Sequence, residues 1–435
     1  MAATLHVSQR ALNRKDFHVL GLAALGGALE FYDFIIFVFF ASVLGPLFFP
    51  PEMPEWLVMI QTFGIFAAGY LVRPIGGIIM AHFGDRIGRK RMFALSVFIM
   101  SAATLGMALL PTYSHIGVAA PILLILLRML QGAAIGGEVP GAWTFVAEHV
   151  PANRVGMATG FLCSGLTLGI LIGSLVAAGI NWAFSPEEVK HFAWRIPFLL
   201  GGVFGLIGVY LRRFLSETPV FMAMKAAQQE HAVLPVKAVL TEHRHGVIIS
   251  ALLTWVLSAG IMVTTLMTAT FLEKQYGYTA LEALLANAFG TLFLLFSCVI
   301  GGALVDRYGS ARFFSWAGII FALVTFLFYQ YAGTSLPVLF GLYALMGTVV
   351  GIVGGVPYVM VRAFPAPVRF SGISFSYNVA YAVFGGLTPL VVTTLMVAHP
   401  MAPAWYLVFI GLLASATGLY LFKHGHKVEG RIGLH

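Results

Sequence analysis

Charge is scarce in this chain. Of 435 residues only 10% are Asp, Glu, Lys or Arg, against 59% hydrophobic, and the mean hydropathy is +0.91. A water-soluble domain of this length needs far more polar surface than that, so a soluble protein is excluded. The net charge of +8 then has to be explained by something other than nucleic acid. Cysteine is nearly missing: Cys163 and Cys298 both lie inside apolar stretches, which rules out a disulfide framework and leaves the packing of a small apolar side chain. The thirteen histidines are scattered without HxxxH or a similar ligand spacing, so no metal site is expected. Neither a phosphate loop nor a Ser-His-Asp constellation is discernible. The chain is not expected to be an enzyme, and no organic cofactor or metal is implied.

What is present is a series of apolar runs, each of about 18 to 25 residues, the length that carries a helix across a ~30 Å hydrocarbon core. Twelve can be counted, centred near residues 28, 71, 100, 135, 171, 204, 260, 293, 322, 350, 383 and 413. The first is too long for a signal h-region and lacks a small-residue cleavage site, so it is read as a retained helix. Placing both termini in the cytoplasm puts most Lys and Arg on that side. Only Lys190, Arg195 and Lys274 then fall outside, with Arg73 and Arg128 inside helices, as the positive-inside rule requires. Trp56, Trp182, Trp194 and Trp405 fall near the outer helix ends, where an aromatic belt is expected.

The loop GDRIGRKR (Gly84 to Arg91) has a weaker copy, VDRYGSAR (Val305 to Arg312), 221 residues later. Six runs precede a polar stretch and six follow it. Repeats of this kind mark many transporters, whose substrate site lies near the midplane between the halves. The fold class expected is an all-α membrane protein of twelve transmembrane helices in two pseudo-symmetric six-helix bundles. Residues 1–211 form the first bundle, 212–245 a cytoplasmic linker and 246–435 the second.

Charges inside the runs carry the functional signal, because an intramembrane ionisable residue is costly and usually faces a bundle interior or a wet cavity. GALEFYDFIIF (27–37) holds Glu30 and Asp33 three residues apart, on one helix face with Gly26, Gly27 and Phe37. A gate that moves an arginine relative to such a carboxylate changes which protonation state is favoured, which makes Asp33 and secondarily Glu30 candidate proton carriers. The competing account is permanent ion pairing that only holds helices together. In the fourth run Arg128, Gln131, Ile135, Glu138 and Ala142 follow 3-4-3-4 spacing. Depth at ~1.5 Å per residue suggests two layers, Asp33 with Arg128 and, nearer the cytoplasm, Glu30 with Arg73 and Glu138. Arg73 precedes Pro74 and two glycines, so a packing role competes evenly with a substrate role. The second half has no intramembrane charge and offers Tyr358, Tyr377, Asn378 and Tyr381.

Taken together, the Asp-Arg-x-Gly-Arg-Lys loop, EFYDF, LVRPIGG (71–77), RMLQGAAIGGE (128–138), WRIPF (194–198), SETPVF (216–221) and RFSGISFSYNVAYAVFGGLTP (369–389) resemble the major facilitator superfamily. Within it they resemble the metabolite:proton symporters. The resemblance implies alternating access in a bacterial inner membrane by a monomer that imports a small organic acid anion (a mono-, di- or tricarboxylate), with the proton as coupling ion. The alternative is a zwitterionic osmolyte:proton symporter or a drug:proton antiporter. Substrate-binding candidates are Arg128, Gln131, Arg73, Glu138, Tyr377, Asn378, Tyr381 and Tyr358. Arg128 is expected to take a substrate carboxylate and to pair with Asp33 when the site is empty. Gating is expected from Asp85, Arg86 and Arg89, with Glu148 and Arg154 as partners, and from the second copy, Asp306 and Arg307. There are departures: Ala81 replaces a usual Gly, Ser310 and Ala311 replace the basic pair of the second copy, and Arg362 stands where an acid is usual. The short stretch after the last run implies no coiled-coil extension, an expectation against an osmosensor.

Overall fold

Each apolar run forms a helix for the reason that hydrocarbon leaves no other way to satisfy its backbone. The computed structural model describes residues 13–77, 79, 89–136, 138–211 and 235–428, with no strand among them. The spans are α1 Asp16–Phe39, α2 Glu55–Gly77, α3 Arg89–Leu109, α4 Ala119–Glu148, α5 Ala152–Ala183, α6 Arg195–Tyr210, α7 Arg244–Tyr276, α8 Ala280–Tyr308, α9 Ser310–Tyr331, α10 Leu336–Arg362, α11 Val368–Ala398 and α12 Ala402–Gly425. All twelve expected centres fall inside them. Two are atypical: the apolar part of α3 is short, and α6 is bent by 48° from a preceding piece, Pro186–Ala193. Starts are locally encoded. Asn13 and Asp16 exchange hydrogen bonds of 2.8 and 2.9 Å at the head of α1, and Thr279 with Glu282 does the same for α8.

Twelve crossings place the ends of α1 and α12 on one face, called here the termini face. Small residues let the helices touch. A Cβ on Gly132 of α4 would lie 1.7 Å from Gly69 O of α2, and one on Gly169 of α5 would lie 2.4 Å from Ala28 O of α1. The two halves meet closely at α5 and α8, where Gly160 abuts the Cys298 carbonyl. Both cysteines are free and buried, consistent with packing. Trp56, Trp182 and Trp405 are exposed, but Trp194 is not. Its ring is buried between Phe48 and Phe198, so it is a core residue rather than a belt residue.

Near mid-membrane several helices lose regularity. The α7 ladder widens to a π turn over Met262–Met267, α11 does so over Tyr381–Gly385, and α10 tightens to 3-10 over Gly351–Gly355. The freed carbonyls of α7 are met by other helices: Tyr343 Oη donates to Thr264 O at 3.0 Å, and Asn287 Nδ2 donates to Thr265 O. This bracing is how irregular backbone survives at membrane depth.

Candidate functional site

Two arginines occupy the centre, each inside a ring of aromatics. Arg128 is fully buried. Its guanidinium carbon lies 4.4, 4.8 and 4.9 Å from the ring centres of Phe34, Phe37 and Phe66. Its Nη1 donates to Phe34 O at 2.9 Å and to Gln131 Oε1 at 2.6 Å. Gln131 Nε2 in turn donates to Thr104 Oγ1 at 2.7 Å. Every one of these groups belongs to the first half.

Arg73 is equally buried and differently held. Its guanidinium carbon lies 4.6 Å from the ring centre of Tyr381, 5.3 Å from Tyr377 and 5.4 Å from Tyr70. None of its three side-chain nitrogens meets a hydrogen-bond acceptor among the described residues. Two of its three rings come from α11, in the second half. Tyr70 and Tyr381 stack at 5.1 Å across the interface, while Tyr70 also touches Phe34 and Phe66. The two arginine cages therefore share a wall through Tyr70.

The carboxylates are placed elsewhere. Asp33 is fully buried, but its side chain points into the contact of α1 with α3 and α6. A Cβ on Gly201 would lie 2.4 Å from its Oδ1, and one on Gly205 would lie 3.2 Å from its Oδ2. Among the described residues no ion pair joins Asp33 to Arg128, so the expected pairing is corrected. Gln131 links the two, with its Oε1 accepting from Arg128 Nη1 and its Nε2 3.4 Å from Asp33 O. The cause is geometric: Phe34, one residue on, takes the direction toward Arg128. The Glu30 side chain lies outside the described residues. Glu138 lines a cavity of about 50 Å³ with Gly27, Phe31 and Trp143, and Trp143 stands edge-on to Tyr377 at 4.9 Å. Asn378 Nδ2 donates at 2.5 Å to Gly136 O of α4. Tyr358 belongs to another region, since Arg362 lies over its ring at 4.4 Å near the termini face.

Both faces carry contacts between the halves. On the termini face Asp306 accepts from Gly156 N and Met157 N, each at 2.8 Å, at the start of α5. Arg362 donates to Ala152 O at 3.1 Å, so this departure still bridges the halves by another chemistry. Glu148 pairs with Arg369 of α11 at 3.4 Å. Arg154 is exposed and near enough to Asp306 to attract it, while Arg307 is exposed beside Tyr308. Asp85 and Arg86, with the side chain of Arg89, lie outside the described residues. On the opposite face Lys274 of α7 pairs with Glu55 of α2. This pair is exposed, so it is worth ~0–1 kcal/mol and weakens with salt. Reversing one charge, Glu55→Lys, is expected to lower the apparent substrate KM by no more than ~3-fold. The exchanged double variant Glu55→Lys/Lys274→Glu should restore the original value, measured by initial uptake rates. A double variant that behaves like the single one would show that the pair does not hold this face closed.

The sequence profile of the Major Facilitator Superfamily matches residues 23–389. The chain belongs to that superfamily. A putative proline/betaine transporter of Staphylococcus aureus (strain COL) is 32% identical over 426 residues, covering 93% of this chain and 88% of the relative. The proline/betaine transporter of Salmonella typhimurium is 30% identical over 423 residues, covering 93% and 83%. Among solved structures, the proton:xylose symporter XylE bound to 6-bromo-6-deoxy-D-glucose superposes with a TM-score of 0.76 at 18% identity, over 94% of this chain and 95% of that one. A partially occluded inward-open form of XylE from E. coli gives 0.72. At that identity the likeness concerns the fold, which is the twelve-helix major facilitator fold. This member of the major facilitator superfamily is a multi-pass membrane transporter, not an enzyme.

The sequence reasoning missed the rings around Arg128, Phe34, Phe37 and Phe66, and one of the three around Arg73, Tyr70. Tyr70 was within reach, three residues before Arg73 and so on the same helix face. The phenylalanines carry no comparable mark in a chain with 37 of them.

Proposed function

We propose that this protein is a proton-coupled symporter of a zwitterionic osmolyte of the betaine or proline class. It works by alternating access in a bacterial inner membrane, with both termini cytoplasmic and no cofactor beyond the coupling proton. The carrying observation is the Arg73 cage. A buried guanidinium offers a fork to a carboxylate, and three tyrosine faces offer the environment that attracts a substituted ammonium. One site therefore suits both ends of a zwitterion. A di- or tricarboxylate would leave further negative charges against the faces of Tyr70, Tyr377 and Tyr381, while Arg128 sits in a separate ring of phenylalanines with its Nη1 already engaged by Phe34 O and Gln131. The curated relatives named above point the same way, which moves the substrate from organic acid anion to zwitterion. In this proposal Asp33, with Glu30, carries the proton, Arg128 and Gln131 link it to the centre, and Tyr377 and Tyr381 bring the second half to the substrate.

The test is counterflow and pH-driven uptake in proteoliposomes with radiolabelled glycine betaine, proline and citrate. Accumulation of a zwitterion with acidification of the lumen is expected. Citrate uptake with no zwitterion uptake would return the function to organic acid transport, and alkalinisation would indicate antiport.

A further inference from the structure

We propose that Arg73 is a placeholder cation: in the closed conformation described here its guanidinium fills the tyrosine box that the substrate's ammonium takes, and substrate entry evicts it onto the substrate's own carboxylate. This rests on the zwitterion reading and adds how the site recognises both charges at once.

The argument starts from the contrast between the two arginines. Arg128 is held by two hydrogen bonds and three phenylalanines, all from one half, so rocking of the halves leaves its surroundings intact. Arg73 lies among ring faces, with no acceptor for its nitrogens among the described residues, and two of the three rings ride on α11. Separation of the halves opens this cage and no other part of the cluster. A buried cation with unanswered donors is costly. Contacts with aromatic faces offset part of that cost, by about 0.5–2 kcal/mol each, and a carboxylate would offset more through charge-assisted hydrogen bonds.

The exchange keeps the charge of the box constant. A substituted ammonium enters among Tyr70, Tyr377 and Tyr381 as the guanidinium leaves, and the carboxylate on the same molecule meets the guanidinium. A cation lacking a carboxylate evicts Arg73 without giving it a partner. A carboxylate lacking a cation leaves the box to Arg73. Selectivity for zwitterions thus follows from one displaced side chain, with no separate filter against cations or anions.

The experiment measures binding by calorimetry on the purified full-length protein in nanodiscs, with glycine betaine, tetramethylammonium and isovalerate as probes. Wild type is expected to bind glycine betaine at least ~10-fold more tightly than either of the others. In Arg73→Met the box is open, so tetramethylammonium should bind at least ~10-fold more tightly than it does to wild type. Glycine betaine should weaken, and the ranking should invert. Arg73→Gln serves the same purpose if the Met variant does not fold. Adding Tyr381→Leu should remove the gained tetramethylammonium affinity. Unchanged or weaker tetramethylammonium binding in both folded Arg73 variants would overturn the proposal. Failure of wild type to bind any zwitterion would instead overturn the substrate class, because the gain for tetramethylammonium does not depend on which substrate is natural.

Discussion

Asp33→Asn is expected to abolish accumulation driven by a pH gradient while leaving exchange of substrate across the membrane. The substitution keeps shape and removes the titratable group, so packing against Gly201 and Gly205 is disturbed far less than by Ala. The group is fully buried, and a carboxylate at that depth is retained at a cost of several kcal/mol in most settings. Among the described residues no ion pair joins its carboxylate to Arg128. Coupling then runs through α1 itself or through Gln131, whose Nε2 lies 3.4 Å from Asp33 O and whose Oε1 accepts from Arg128 at 2.6 Å. This separation predicts a split result: counterflow at near wild-type rates, and a steady-state ratio that falls to equilibrium. Glu30→Gln should have the smaller effect. The same assay on Gln131→Leu distinguishes the two routes, since a chain through Gln131 loses coupling in that variant and a route through α1 does not. An Asp33→Asn protein that still concentrates substrate under a pH gradient would falsify the assignment.

Much of this architecture is written in local signals. Run length and composition place twelve helices, because a lone helix in hydrocarbon must satisfy its own backbone. Capping pairs such as Thr279 and Glu282 mark their starts. The site was legible in its residue types and only partly in its partners. Arg73, Arg128, Gln131, Tyr377 and Tyr381 do converge, since helical spacing fixes which face a side chain occupies. Spacing does not fix how far one helix is rotated against the next. That is why Asp33 turned out to face α3 and α6, and why the pairing of Glu148 with Arg369 of α11 was not foreseen. Tyr358 lies apart from the cages, toward the termini face and under Arg362, beyond the 3-10 turn at Gly351–Gly355. The use of the Gly136 carbonyl of α4 by Asn378 required knowing that α11 crosses there.

Asp306→Ala is expected to shift the protein toward conformations open at the termini face, slowing transport with little loss of substrate affinity. The carboxylate receives two backbone N–H groups at 2.8 Å at the start of α5, where the helix dipole also favours a negative charge. Hydrogen bonds to a charged acceptor contribute about 1.5–3 kcal/mol, and partial exposure reduces this. A net change of about 1–3 kcal/mol in the opening equilibrium corresponds to roughly 5–150-fold. Among the described residues three contacts share the closure: Asp306 on α5, Arg362 on Ala152 O, and Arg369 on Glu148. None touches the arginine cages, which is why the effect should fall on populations and rates. Spin labels at Asn153→Cys and Arg312→Cys, both exposed positions flanking the contact, report it in a background with Cys163 and Cys298 replaced by Ser. The long-distance population should rise in Asp306→Ala. It should rise further with Glu148→Gln, because the two contacts act on the same equilibrium from separate helices. Unchanged distances together with a large loss of affinity would place Asp306 in the substrate path and remove it from the termini-face closure.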